Sequence, residues 1–214
     1  MTRYLFLIPL LASALGGAPT FSTFCPPSGD GGDGILNTLM NRATAPDSFQ
    51  EIPVRQFLAA MPRVNLHRAH MQQIRQPARK RIDSLNGTGV TLEGYLVGAA
   101  LANPQAAECH DPKMARYWLW IAPEKPNRKK PLQRVQARSV MAVVTPEWRS
   151  AHPRTWQLEI LSELSWSFPL VRVSGWVMLN PQKPDQLGRT RASLWEVHPV
   201  VKIETWSGGR WTKF

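Results

Sequence analysis

The last third of the chain decides the fold: residues 170–179 (LVRVSGWVML) and 193–206 (SLWEVHPVVKIETW) alternate between apolar and polar side chains. A period of two residues is typical of a β-strand with one buried face, so both segments are predicted to be strands. Pro199 interrupts the second segment, and because proline cannot donate to a strand ladder it is expected at a bulge or on a sheet edge.

Three more strands are predicted upstream, over residues 88–100, 115–122 and 137–145. Between the third and fourth strands, residues 156–164 (WQLEILSEL) have the apolar spacing of one short helix, carried by Leu158, Ile160, Leu161 and Leu164. Three strands, a helix and two strands is the element order of an OB-fold barrel. The sequence therefore predicts a mainly β protein with a five-stranded OB-like Greek-key barrel and one short helix between strands three and four. Another small Greek-key barrel or sandwich is the alternative.

The last two predicted strands also resemble a group of uncharacterised exported bacterial proteins. The resemblance is carried by residues 173–179 (VSGWVML) and 194–200 (LWEVHPV), a Gly-Trp strand followed by a Leu-Trp-Glu-Val/Ile-His-Pro strand, and extends over about residues 88–206. It implies an OB-like exported domain with no settled activity. Relatives often carry a His in strand two and a Glu in strand three, where this chain has Trp118 and Val143.

The regions before and after the barrel differ in composition. Residues 1–18 combine a basic start, a short apolar run and small residues, which is typical of a secretory signal peptide. Residues 19–50 are rich in Pro, Gly, Asp, Ser and Thr, as in a flexible linker, and residues 51–86 form a basic, partly helical extension. The barrel then spans 87–207 and a C-terminal tail spans 208–214. No later segment approaches the ~20 apolar residues that a membrane span needs, so we expect an exported protein, periplasmic or extracellular.

Cys25 and Cys109 are the two cysteines of the chain. In an oxidising compartment two cysteines far apart in sequence can form a disulfide, whereas two unpaired thiols are typical of the cytosol. A Cys25–Cys109 bridge is therefore predicted, and it would join the N-terminal region to the barrel.

The chain is strongly basic, with 26 Lys and Arg against 15 Asp and Glu and a formal net charge of +11. Half of the basic residues lie in two stretches without any acidic residue, 55–82 and 125–138. Clustered Lys and Arg indicate a polyanionic partner such as nucleic acid or an anionic membrane surface. The alternative is a basic loop that is merely solvated.

The second predicted strand adds aromatic residues to this charge. If Tyr117, Leu119 and Ile121 fill the barrel, side chains between them lie on its outer face. Tryptophan and arginine planes on an outer strand face are suited to base stacking. The alternative is that the extension over residues 52–82 covers both tryptophans. The predicted ligand-binding residues are Arg116, Trp118, Trp120, Arg128, Lys129, Lys130, Arg189 and Arg191.

Two further functions follow from other features. Glu196 and His198 share a face of the last strand and, with Asp185, could serve a metal-dependent hydrolase or nuclease. The structural alternative is that His198 only hydrogen-bonds the bulge at Pro199. No cofactor is predicted, and no metal site is predicted because the carboxylates lack ligand-like spacing. The third hypothesis is a cell-envelope protein-interaction module.

Overall fold

The computed structural model describes residues 25–63, 74–127, 129 and 131–214, so the predicted signal peptide lies outside the described residues. Seven strands form one sheet, and six α-helices lie in the described ranges. In chain order the elements are α1 (Gly34–Met40), β1 (Gln50–Pro53), α2 (Val54–Ala60), α3 (Ala78–Asn86), β2 (Gly89–Leu101), β3 (Tyr117–Ala122), α4 (Leu132–Gln136), β4 (Val140–Val144), α5 (Pro146–Ser150), α6 (Leu158–Ser165), β5 (Leu170–Leu179), β6 (Trp195–Ser207) and β7 (Arg210–Lys213).

Five of these strands close a barrel. β2 pairs antiparallel with β3, β3 with β4, β6 with β5, and β5 with β2, while β4 and β6 are joined in parallel through Ala142 and Val197. Helix α6 lies between β4 and β5 in the chain. The predicted OB-like barrel and its element order are confirmed, and β5 has the predicted bounds.

The barrel closes because β2 is long enough to pair with two neighbours. Its first half pairs with β5 and its second half with β3, with a register shift between Leu96 and Gly98. Gly94 lies where the strand passes close to β3, and a Cβ there would be 2.7 Å from the Ala122 carbonyl oxygen. Glycine therefore permits the bend that the strand needs to serve both neighbours.

The register of β5 against β6 also shifts around Pro199. Ser174 pairs with Lys202, but Val177 pairs with Val197, so β6 has extra residues opposite β5. The prediction that Pro199 lies at a bulge is confirmed.

The predicted extension packs against the barrel. Strand β1 pairs in parallel with β2, and Val54, Phe57 and Ile82 are buried in the same apolar core as the barrel interior. The partly helical character is found in α2 and α3, while residues 64–73 of the basic stretch lie outside the described residues.

Two segments are more ordered than the sequence predicted. Within the predicted linker, α1 buries Leu36 and Met40, and the Asp33 side chain caps the helix by accepting a hydrogen bond from the Leu36 N–H. The glycine- and proline-rich composition hid this short apolar stripe. The predicted C-terminal tail contains β7, which pairs with the end of β6 through a Gly208–Gly209 turn in which both glycines have positive φ.

The predicted disulfide is present. Cys25 and Cys109 are bonded across 84 residues, with their Cα atoms 5.7 Å apart. The bridge fixes the start of the described chain to the loop between β2 and β3. In the described ranges, no helix combines the length and the apolar character needed to cross a bilayer.

Candidate functional site

The alternation predicted for β3 is confirmed. Leu119 and Ile121 belong to the barrel core, whereas Trp118 and Trp120 belong to a smaller apolar cluster on the other face. Trp120 is only 6% exposed, and its indole N–H donates to the Thr190 carbonyl at 2.7 Å. It therefore offers no open face for a base.

The cover over Trp120 is not the one that the sequence suggested. Its cluster contains Val97, Met141, Val143 and Val135, and none of its described members belongs to the 52–82 extension. The hydrogen bond to Thr190 adds the loop between β5 and β6. Trp120 is therefore covered, but the described residues of the extension, which was the predicted cover for both tryptophans, do not take part.

A polar cavity lies beside these tryptophans, on the outer face of β3, β4 and β6. It lies between the β2–β3 loop (residues 102–116) and the β5–β6 loop (residues 180–194), where OB-type barrels bind ligands. Trp118 and Val143 are paired across β3 and β4 and both line it. The other residues of its lining are Ala102, Asn103, Gln105, Glu108, Arg116, Asn180, Lys183, Arg191, Glu196 and His198.

Glu196 is the best-partnered group of this cavity and is 1% exposed. Its Oε2 accepts from Arg191 Nη1 at 2.6 Å, and its Oε1 accepts from His198 Nδ1 at 2.9 Å and from Asn180 Nδ2 at 3.4 Å. Burial alone would raise the pKa of this carboxyl, but Arg191 and His198 outweigh burial and lower it to about 2. Glu196 is therefore a carboxylate at neutral pH.

His198 is neutral at the same pH. Burial lowers its pKa to about 4, the hydrogen bond with Glu196 acts in the opposite direction, and the charge of Arg116 lowers the pKa further. With its Nδ1–H given to Glu196, Nε2 carries the lone pair and faces Arg116 Nη1 at 3.4 Å. The predicted Glu–His pair on one strand face is confirmed, and the alternative that His198 only bonds the bulge is not what the structure shows.

Arg116 is buried instead of exposed on an outer face. It forms an ion pair with Glu108, and its Nη1 lies 2.9 Å from the Met40 sulfur. Burial lowers its pKa to about 10, and Glu196 partly opposes this shift. Sequence reasoning missed Glu108 and Asn180, because both lie in loops without a recognisable motif.

The other predicted site residues are separated by the fold. Arg191 is 1% exposed and is bound to Glu196, whereas Asp185 and Arg189 are exposed and do not line the cavity. The cavity leaves only about 10 Å³ for the centre of a water molecule, which is room for one. Within the described residues no group of three or more His, Cys, Asp and Glu could hold a metal ion. The arrangement can hold buried charged side chains in place through ion pairs and hydrogen bonds, and it has no space for a polymeric substrate.

A second, open site lies along the connection between β3 and β4. Its first part has a volume of about 270 Å³ and is lined by Lys125, Arg134 and Arg138 together with Pro123, Val135 and their neighbours. All three cations are exposed. The acidic residue of this lining, Glu124, is ion-paired with Arg55.

The second part continues from the first through Pro126, Asn127 and Val135, which line both. It has a volume of about 470 Å³ and is bordered by Trp166, which is 71% exposed, and by Leu132. We call the two parts together the basic groove. Trp166 was not predicted as a site residue. The sequence signal for its exposure is that it falls just after the predicted helix and off the apolar stripe of that helix. Lys129 is exposed in the same loop, and Arg128 and Lys130 lie outside the described residues.

Comparison of the chain with protein-family models, curated proteins and solved structures gives no match. The arguments on function therefore rest on the geometry of the cavity and the basic groove.

Proposed function

We propose that the protein is an exported OB-like binding module for single-stranded nucleic acid, and that the basic groove is its binding site. One observation carries the proposal. A single open groove contains exposed cations that form no ion pair in the described part of the chain, and it also contains an exposed tryptophan, Trp166. This proposal keeps the ligand class predicted from the sequence and moves its site from Trp118 and Trp120 to Trp166.

The electrostatic part of the argument depends on charges that are not already paired. In the described part of the chain, Lys125, Arg134 and Arg138 form no ion pair, and the nearby Glu124 is held by Arg55. Such a surface attracts a phosphate backbone and releases its condensed counterions on binding. The net charge of +11 favours encounter with any polyanion.

Trp166 supports a single strand over a duplex. An indole that is 71% exposed presents a flat surface on which an unpaired base can stack, and stacking contributes roughly 1–3 kcal/mol per base. In a duplex the bases are already stacked and cannot reach it. The groove that joins Trp166 to Arg134 has cations for the backbone beside a platform for a base.

Export is part of the proposal. It is supported by the signal-peptide pattern of residues 1–18 and by the Cys25–Cys109 disulfide, since disulfides persist in oxidising compartments. The ligand would then be extracellular or periplasmic single-stranded nucleic acid.

The test is the binding of a fluorescein-labelled oligothymidine to the protein, followed by fluorescence anisotropy. Trp166→Ala is expected to weaken binding by roughly 5- to 150-fold, which is the range that one lost stacking contact gives. Trp206→Ala is the matched control, because Trp206 is also exposed, at 45%, but lies on β6 outside the groove. Equal affinities of the two variants would contradict the proposed site.

The same mixtures distinguish the other predicted functions. Cleavage of the oligonucleotide with added Mg²⁺, abolished in Glu196→Gln while tryptophan fluorescence shows that this variant is still folded, would favour the hydrolase that uses Glu196, His198 and Asp185. An absence of both binding and cleavage would leave the envelope protein-interaction module as the remaining hypothesis.

A further inference from the structure

The polar cavity between the two loops has a surplus of hydrogen-bond donors. Arg191 Nε and Arg116 Nε are buried, and neither has a hydrogen-bond partner among the described residues. Both side chains line the cavity, and Arg191 is 1% exposed. A buried guanidinium N–H without an acceptor is costly, so an acceptor is expected in the remaining space.

The carboxylates of the cavity do not supply that acceptor. Glu196 uses both oxygens on Arg191, His198 and Asn180. Glu108 accepts from the Gln105 N–H at 2.7 Å and forms the ion pair with Arg116. In the described part of the chain, neither acid therefore forms a hydrogen bond with either of the two Nε–H groups.

We propose that this cavity binds one small monovalent anion of the size of chloride, held by Arg191, Arg116 and Lys183. A halide accepts several N–H groups and donates none, whereas a water molecule would bring two further hydrogens that need acceptors. The available space of about 10 Å³ for the centre of a water-sized sphere limits the occupant to a single small species. This inference does not depend on the basic groove.

Lys183 completes the site at its half-buried mouth. Burial and then the charge of Arg191 lower the pKa of Lys183, while Glu196 and the exposed Asp185 oppose the shift less strongly. The ammonium group therefore lies beside guanidinium groups whose repulsion Glu196 and Asp185 only partly offset, so further negative charge would be favourable. An anion beside Arg191 would supply this charge and would attach the β5–β6 loop to the barrel face.

The experiment measures Tm as sodium methanesulfonate is replaced by sodium chloride at constant ionic strength. A saturable rise in Tm is expected with chloride and with bromide, because a ligand that binds the folded state stabilises it by mass action. Formate and phosphate form two further arms, and both should be weaker because they are larger. Identical Tm values in chloride and methanesulfonate would overturn the proposal.

Variants and diffraction locate the site. Lys183→Met should abolish most of the chloride dependence, whereas Lys125→Met, which removes a cation from the basic groove, should retain it. If Lys183→Met fails to fold, crystals of the wild-type protein soaked in sodium bromide decide the question by anomalous scattering. A bromide peak between Arg191 and Lys183 is expected, and its absence from the cavity would refute the assignment.

Discussion

Replacing Glu196 by glutamine is expected to destabilise the protein strongly at neutral pH. Although burial alone would raise the pKa of Glu196, Arg191 and His198 lower it from 4.5 to about 2, which corresponds to about 3 kcal/mol in favour of the folded state. Glutamine would also leave the guanidinium of Arg191 buried without its counter-charge, and breaking one side of a buried ion pair costs about 3–5 kcal/mol. We therefore expect a loss of about 3–5 kcal/mol in the free energy of unfolding.

The assay is urea denaturation followed by tryptophan fluorescence, and Glu204→Gln is the matched control. Glu204 lies on the same strand, and its partner Lys202 is solvent-exposed, with 2.9 Å between Nζ and Oε1. A surface pair of this kind is worth only about 0–1 kcal/mol. If Glu196→Gln changes the free energy of unfolding no more than Glu204→Gln does, the buried network is not the stabilising element described above.

Three more outcomes follow from the structure. Acidification from pH 6.5 to pH 4 should lower the urea midpoint. Burial lowers the pKa of His198 from 6.5 to about 4, so between these pH values the unfolded chain binds a proton that the folded chain excludes. A urea midpoint that does not change with pH would contradict the buried neutral histidine. Reducing the Cys25–Cys109 bridge should cost about 4.6 kcal/mol of stability, because the bridge joins residues 84 positions apart, and an unchanged Tm after complete reduction would refute this value. Gly175→Ala should prevent folding or greatly lower Tm, because a Cβ there would lie 2.2 Å from the Pro199 carbonyl oxygen of β6. Gly34→Ala is the control and should have little effect, because the atom nearest to its Cβ would be the Ser28 Cβ at 3.8 Å.

The barrel could be predicted from the sequence because its strands obey a local rule. In β3 and in the first half of β5, residues of the barrel core alternate with residues on the other face, so the period of two residues survives in the sequence. The helix between β4 and β5 likewise has an apolar stripe, and Leu161 on that stripe is fully buried. Proline placed the bulge in β6, since the ladder cannot be continued through it.

The buried network could be predicted only in part. Glu196 and His198 are two residues apart on one strand, and this spacing was sufficient to place them on one face. Arg116 lies 82 residues from His198, and its ion-pair partner Glu108 belongs to a loop. Only the closed barrel brings these groups together, and no local pattern records a contact of that range.

The proposed binding site shows a similar limit. Charge clustering correctly indicated exposed cations in the β3–β4 connection, where Lys125 and Arg134 line the basic groove. It did not distinguish the covered Trp120 from the exposed Trp166, because the cover over Trp120 is a loop whose path depends on tertiary contacts. Alternation assigns a side chain to a face of a sheet, but it does not say what packs on that face.

The most direct test of the proposed function is the salt dependence of oligothymidine affinity for two double charge reversals. Arg134→Glu/Arg138→Glu changes the basic groove, and Arg210→Glu/Lys213→Glu makes the same change of net charge on exposed residues of β7. Each lost phosphate contact should reduce the slope of log affinity against log salt by about 0.7 for a single strand. The groove variant is expected to bind weakly with a slope reduced by about 1.4, whereas the β7 variant keeps the wild-type slope. Equal slopes for the two variants would show that binding, if any, depends on net charge alone and that the basic groove is not the site.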